Sequence, residues 1–381
     1  MKNLATKASA TICAFVFALF LSACGDRPEG GEIKAQLAKE ANPVERYLVT
    51  VEEHFTDDRI VKANAKFAKP VKLSEEQKSV RDFFMSRMFL GNTLTDTDSG
   101  RLSHMDSMGV KIQVLSYTTP VTDNVPAEEA VKICKLANDI LAERVKAHPD
   151  RYRAMATLPM GDPVAAAAEL ERTVKELGFV GVLLAGQYRG RWYDEPEFLP
   201  IFEKAAELDV PVYFHPYLVN PAVQQAVYMS SAYSPIVGAE FASAGFGWHL
   251  DVGISVVRLI LAGIFDKFPN LKFVAGHWGE GIPMMLDRMD YQLTQDMTKL
   301  KHPVSYYYKN NVYLTPSGIM SEQNLKTMVE IMGADHIIYS EDYPYYRPSN
   351  FADFLWNNSF LTDEQKELIA HKNAERLYRL K

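Results

Sequence analysis

The sequence predicts an α/β fold, a (β/α)8 TIM barrel with long loops after its first and fifth strands. Three observations predict it. Eight short apolar runs read as strands, and amphipathic helical patterns lie between most of them. Eight is the number that closes a parallel barrel, and the roughly 330 residues from position 45 onward suit one with insertions. No glycine-rich phosphate loop follows the first strand, which disfavours an open doubly wound nucleotide-binding sheet.

The elements follow in chain order. "MKNLATKAS" carries Lys2 and Lys7 and no acid, and leads into the apolar run "ATICAFVFALFL", too short to span a bilayer comfortably. It ends in "LSAC", which resembles a lipobox and implies cleavage before Cys24, a lipid on that thiol and an exported protein held at the cell envelope. Residues 1–23 are thus expected to be a lipoprotein signal and 24–44 a polar, flexible tether. The barrel domain is expected over 45–381. Of the three cysteines, Cys13 leaves with the signal and Cys24 carries lipid, so Cys134 is alone and no internal disulfide is expected.

The strand candidates are 47–52, 111–116, 152–158, 179–185, 211–215, 272–277, 311–315 and 336–340, each apolar and rich in β-branched or aromatic residues. Between them, 126–148 places Ala130, Ile133, Ala137, Ile140 and Leu141 on one helical face. Residues 162–178 open on Asp-Pro and close on Gly, and the helices near 74 and 362 open on Ser and Thr caps. The insertions at 55–100 and 216–249 follow strands one and five, where barrels build their sites.

Hydrophobic content of 47% and charged content of 23% describe a soluble globular domain. The formal net charge is −7 and no basic stripe is visible, which excludes a nucleic-acid footprint.

The chemistry gathers at strand ends. The first strand closes in "VEEHF", and strand alternation points Glu52 and His54 one way and Glu53 the other. Glu53 reads as a solvated or supporting carboxylate. The fifth ends in "VYFHP" with His215, the sixth runs into "GHWGEG" with His277 and Glu280, and the eighth into "SEDYP" with Asp342. A barrel brings all C-terminal strand tips to one mouth. Carboxylate oxygen and neutral imidazole nitrogen there form a donor set for a divalent cation such as zinc or manganese.

"VEEHF", "FHP", "GHWGEGIPMMLDRMD" and "SEDYP", together with "RLSHMDSMGVKIQVLS" and the terminal "NAERLYRL", resemble the amidohydrolase superfamily. Within it they are similar to the metal-dependent decarboxylases, the branch of amino-carboxymuconate-semialdehyde and γ-resorcylate decarboxylases. The resemblance covers roughly residues 45–381 and implies a barrel of amidohydrolase type. It implies Glu52, His54, His215 and Asp342 as ligands of one metal ion, since no lysine stands where binuclear members place a bridging one. It implies His277 and Glu280 as a proton-handling pair, Asp342 as proton donor, and Arg288 as a residue that meets substrate or orders Glu280. A homodimer is implied as well. The activity implied is non-oxidative decarboxylation of a small hydroxylated aromatic or unsaturated carboxylic acid. Hydrolysis of a lactone, ester or amide by the same donor set is the alternative, and a silent binding lipoprotein a third reading. His249 is either a substrate contact or structural, and Tyr343 and Tyr345 are candidate pocket residues.

Overall fold

Seven strands form one parallel sheet in sequence order: β1 Leu48–Phe55, β2 Val110–Tyr117, β3 Tyr152–Ala156, β4 Gly181–Ala185, β5 Val212–His215, β6 Phe273–Ala275 and β7 Val312–Leu314. The computed structural model describes residues 46–68, 72–88, 90–118, 121–122 and 125–380. The expected signal, lipobox and tether, with Cys13 and Cys24, lie outside the described residues.

Alternation sorts the strands into two layers. Val49, Val51, Ile112, Val114, Leu183, Tyr213, Val274 and Tyr313 share the barrel interior, which Ala374 and Tyr378 of the C-terminal segment join. Leu48, Phe55, Leu115, Tyr117, Val182, Phe214, Phe273 and Leu314 pack outward against the helices. On β1 the parity flips, since Val49 faces inward and Phe55 outward. The cause is a register shift against β2 between Thr50 and Glu53, a bulge that re-aims the end of the strand.

The eighth strand is a correction. Residues 336–340 make no ladder: a single parallel bridge joins Leu314 and Ile337. Apart from the Ile338 N–H, which donates to Leu314 O at 2.8 Å, its donors go elsewhere. The Tyr339 N–H donates to Ile369 O at 3.1 Å, and the Glu341 N–H to the Glu53 side chain at 3.2 Å. The seam back to β1 is closed by the His54 N–H on Tyr343 O at 2.7 Å. The barrel is therefore complete around the site, with seven laddered strands and an extended eighth segment.

The helices form where their caps specify. Asp162 accepts from the Ala165 N–H ahead of Pro163–Leu177, and Gly178 ends that helix at φ +74°. Thr362 and Gln365 form a reciprocal capping box. Ala127–Ala147 buries Ala130, Ile133, Ala137, Ile140 and Leu141, the face the periodicity assigns. Cys134 is buried and free, its thiol pushed up to about 12 by burial.

Candidate metal centre

β1, β5 and the eighth segment bring Glu52, His54, His215 and Asp342 together, with one donor atom of each lying within 4.8 Å of the others. His54 Nε2 stands 3.1 Å from Asp342 Oδ1, and His215 Nε2 stands 3.3 Å from Glu52 Oε1. These separations are ion-pair distances without hydrogen-bond geometry: Glu52 Oε1 and both ring nitrogens of His54 are buried and have no hydrogen-bond partner. Unbonded buried oxygen and nitrogen are costly unless something else binds them. A divalent cation accepts such a mixed carboxylate and imidazole set.

The surroundings prepare each donor. The Nδ1 of His215 lies 2.8 Å from Pro216 O, and a carbonyl can only accept, so Nδ1 carries the proton and Nε2 presents a lone pair inward. Glu52 Oε2 accepts from the hydroxyls of Tyr213 and Ser317, with Thr315 Oγ1 at 3.3 Å. That leaves Oε1 as the free end. Gly276 makes room for this arrangement, because a Cβ there would lie 3.1 Å from Glu52 Oε2 and 3.2 Å from Tyr213 Oη.

Burial dominates the titration. It lowers His54 to about 4 and His215 to about 3, so both imidazoles are neutral, as ligation requires. It raises Asp342 to about 7, partly countered by His277 and His249.

His277 belongs to a second group. Its Nδ1 lies 2.9 Å from Glu280 Oε1, and His249 Nδ1 lies 2.8 Å from Glu280 Oε2, so one buried carboxylate joins two imidazoles. Burial acts to lower His277, but Glu280 and Glu52 outweigh it and hold it at about 10. The Nε2 of His277 is 3.9 Å from Glu52 Oε1, which sets this group beside the first. The backbone turns sharply to place it: His277, Trp278 and Glu280 have φ of 47°, 61° and 56°. Two bonds pin the turn, the Trp278 N–H on Thr315 O at 2.8 Å and its indole N–H on Ile319 O at 2.7 Å.

Comparison with known proteins decides the lineage. The amidohydrolase family model matches residues 98–380. The chain belongs to the amidohydrolase family. It is 37% identical over 300 residues to decarboxylase orsB of Emericella nidulans, covering 76% of this chain and 88% of that protein. It is 34% identical to the γ-resorcylate decarboxylase of Polaromonas sp. strain JS666, covering 87% of this chain and 98% of the relative. The crystal structure of the dihydroxybenzoic acid decarboxylase from Polaromonas sp. JS666, with bound manganese and the inhibitor 2-nitroresorcinol, superimposes with a TM-score of 0.73 at 31% identity. That match covers 88% of this chain and 97% of the other.

In this amidohydrolase barrel the sequence-derived residues divide in two. Glu52, His54, His215, Asp342, His277 and Glu280 meet at one mouth. Arg288 does not reach it within its own chain: it is exposed, its guanidinium 5.9 Å from the Tyr291 ring. Its helix, Leu286–Gln292, buries Leu286 in the core, and a position two residues on points to the opposite side. His249 bonds Glu280, a partnership that sequence does not reveal because the loop after β5 brings it back. Tyr343 turns away from the mouth and lies under the Arg101 guanidinium at 4.5 Å, whereas Tyr345 packs near His54 with ring centroids 5.4 Å apart. The hydroxyls of Tyr213, Thr315 and Ser317 were not foreseen; two-residue spacing from His215 is the signal that places Tyr213 on the same face.

Of the two readings of Glu53, solvated or supporting, the structure agrees with the second. Glu53 is fully buried, not solvated, because the far side of β1 faces the barrel seam rather than water. Burial and the neighbouring Glu341 carboxylate push its carboxyl well above the usual range. Glu341 in turn meets His104 Nε2 at 2.8 Å.

Proposed function

We propose that this protein is a metal-dependent, non-oxidative decarboxylase of a small hydroxylated aromatic carboxylic acid. The observation that carries the reading is the donor set of Glu52, His54, His215 and Asp342 gathered at the mouth of an amidohydrolase barrel, with Glu52 Oε1 and both His54 ring nitrogens buried and unbonded. The relatives named above are decarboxylases, which favours lyase chemistry over hydrolysis.

In this reading those four residues hold one divalent cation, manganese or zinc. A divalent cation held there would supply Lewis-acid stabilisation of the negative charge on a substrate carboxylate. Direct loss of CO2 would leave an aryl carbanion in the ring plane, beyond π stabilisation. Protonation of the carboxyl-bearing ring carbon first avoids it. Asp342 delivers that proton, which it takes up as the substrate binds. The carbon–carbon bond then breaks, CO2 leaves, and the ring regains aromaticity with the proton in place of the carboxylate. Glu280 fixes the His277 ring so that its Nε2 faces the reacting substrate.

We also infer an exported, lipid-anchored protein, supported by Lys2, Lys7, the apolar run and Cys24 of "LSAC", and a homodimer, supported by the family resemblance. Palmitate labelling that persists in Cys24→Ser, or a monomer by light scattering, would remove the corresponding inference.

The test of function uses the full chain loaded with manganese and a panel of ortho-hydroxybenzoates and aryl lactones. Release of CO2 that is quenched by chelator and lost in His215→Ala is expected. Acid from lactones with no CO2 from any hydroxybenzoate would move the protein to the hydrolases.

A further inference from the structure

Asp342 stands in a segment that regular structure does not hold. The eighth segment has one ladder bridge, at Ile337, and Asp342 itself has φ +71°. That left-handed conformation is unfavourable for a residue with a Cβ and persists only where neighbours fix it. The neighbours are fixed by one side chain. Glu53 Oε1 accepts the N–H of Glu341 at 3.2 Å, and Glu53 Oε2 accepts the N–H of Tyr343 at 3.1 Å. These are the two residues on either side of Asp342. The same carboxyl group thus bridges the peptide on each flank, as a missing strand pairing would.

Three further contacts make this bridge stiff. The carboxyl is fully buried, so water cannot replace it. The residue after it, His54, donates its N–H to Tyr343 O at 2.7 Å. The buried Arg101 donates to His54 O at 2.5 Å while its guanidinium lies 4.5 Å from the Tyr343 ring centroid. β1 and the Asp342 segment are therefore tied from both sides, through the main chain of His54 and the Arg101 guanidinium rather than through the metal-facing side chains.

We propose that Glu53 is a positioning residue: by holding the N–H groups of Glu341 and Tyr343, it sets the backbone from which Asp342 reaches the metal. Glu52 and Glu53 then divide the work of one strand end, the first serving the cation and the second the residue opposite. The inference rests on the assignment of Asp342 to the metal.

The test is a double-mutant cycle read by manganese affinity in the full chain, with kcat at saturating manganese as a second readout. Glu53→Gln is nearly isosteric, but an amide has one accepting oxygen, so either orientation leaves one N–H facing an NH2 group. We expect Glu53→Gln to weaken manganese about 10–100-fold, the range for groups that orient ligands. In an Asp342→Asn background the same change should add less than about twofold, since the ligand it positions is already lost. The kcat should fall with Glu53→Gln while KM stays within about threefold. Equal losses in both backgrounds would mean that Glu53 supports the fold generally, and would overturn the proposal. So would unchanged affinity in Glu53→Gln with Asp342 intact. If Asp342→Asn alone binds manganese as the parent does, the metal assignment falls and the inference with it. If Asp342→Asn weakens binding and Glu53→Gln adds independently, only the inference falls. Should Glu53→Gln not fold, Glu53→Asp gives the same cycle: it keeps the carboxyl group but is one methylene too short to hold both N–H groups.

Discussion

Tyr213→Phe removes one oxygen from the set that aims Glu52. Tyr213 is fully buried on β5, and its ring remains a good fit in the barrel interior when the hydroxyl is gone. The loss falls on Glu52 Oε2, which Tyr213, Ser317 and Thr315 all approach. A hydrogen bond to a charged group contributes about 1.5–3 kcal/mol. The lower end applies here, because Ser317 stays in place and Thr315 Oγ1, 3.1 Å from the departing Tyr213 Oη, is already 3.3 Å from Glu52 Oε2. About 1.4 kcal/mol is a factor of ten in an equilibrium constant, so manganese affinity should fall about tenfold. Once saturated with manganese, the variant should keep kcat within about threefold, because the hydroxyl is turned toward Glu52 and its neighbours. Calorimetric titration of the metal-free full chain, followed by rates at saturating manganese, measures both. Affinity unchanged within twofold would refute the orienting role. A hundredfold loss of kcat at saturation would place Tyr213 against the substrate instead.

Other consequences can be measured as directly. Manganese affinity should rise by up to tenfold per pH unit from about pH 5 to pH 7 and then level off, since a proton on Asp342, raised to about 7, competes with the cation. His54 and His215, lowered to about 4 and 3, are neutral throughout that window and add no slope, so a flat titration would contradict the Asp342 assignment. Chelation should abolish turnover, and manganese at a hundred times its Kd should add about 2.7 kcal/mol of stability, seen as a rise of several degrees in Tm. Arg101→Met should destabilise the fold by about 3 kcal/mol or more in urea unfolding, because it strands the buried carbonyl of His54 and withdraws the bond to Asp96 O. Arg288→Ala, on an exposed helix face, should leave stability within about 0.5 kcal/mol by the same measurement.

Much of this architecture is legible in the chain because local rules and the global fold agree. Each of the first seven strands is a short β-branched or aromatic run, and four chemical side chains, His54, His215, His277 and Asp342, stand at or just past strand ends. The unread parts are those that local rules do not encode. The bulge between Thr50 and Glu53 inverts the strand's facing, and nothing in "VTVEEHF" marks it. The run at 336–340 has strand composition, yet after the Ile338 N–H pairs with Leu314 O the Tyr339 N–H turns to Ile369 O and the following Glu341 N–H to Glu53, so the ladder stops at one bridge. Glu53 reads as either solvated or supporting because alternation gives a direction and not what lies in that direction. Arg288 follows "GEGIPMMLD" in a recognisable motif, but the burial of Leu286 sets the helix rotation and turns it outward.

The site is built where regular structure stops, and this explains its open donors. Among the described residues, eight other than glycine have positive φ, and four of these are His277, Trp278, Glu280 and Asp342. Each such conformation costs on the order of 1–3 kcal/mol and must be held by its surroundings. Trp278 is held by two hydrogen bonds, Asp342 by the groups on its flanks, and Glu52 by hydroxyls on one oxygen. A looser site would relieve itself: His54 and His215 would close on Asp342 and Glu52 and form ordinary hydrogen-bonded pairs. Here the backbone and the supporting hydroxyls hold these pairs 3.1 and 3.3 Å apart, with Glu52 Oε1 and both His54 ring nitrogens left unbonded. Donors prevented from satisfying one another are preorganised for a common ligand, and with two carboxylates and two neutral imidazoles that ligand has to be a cation.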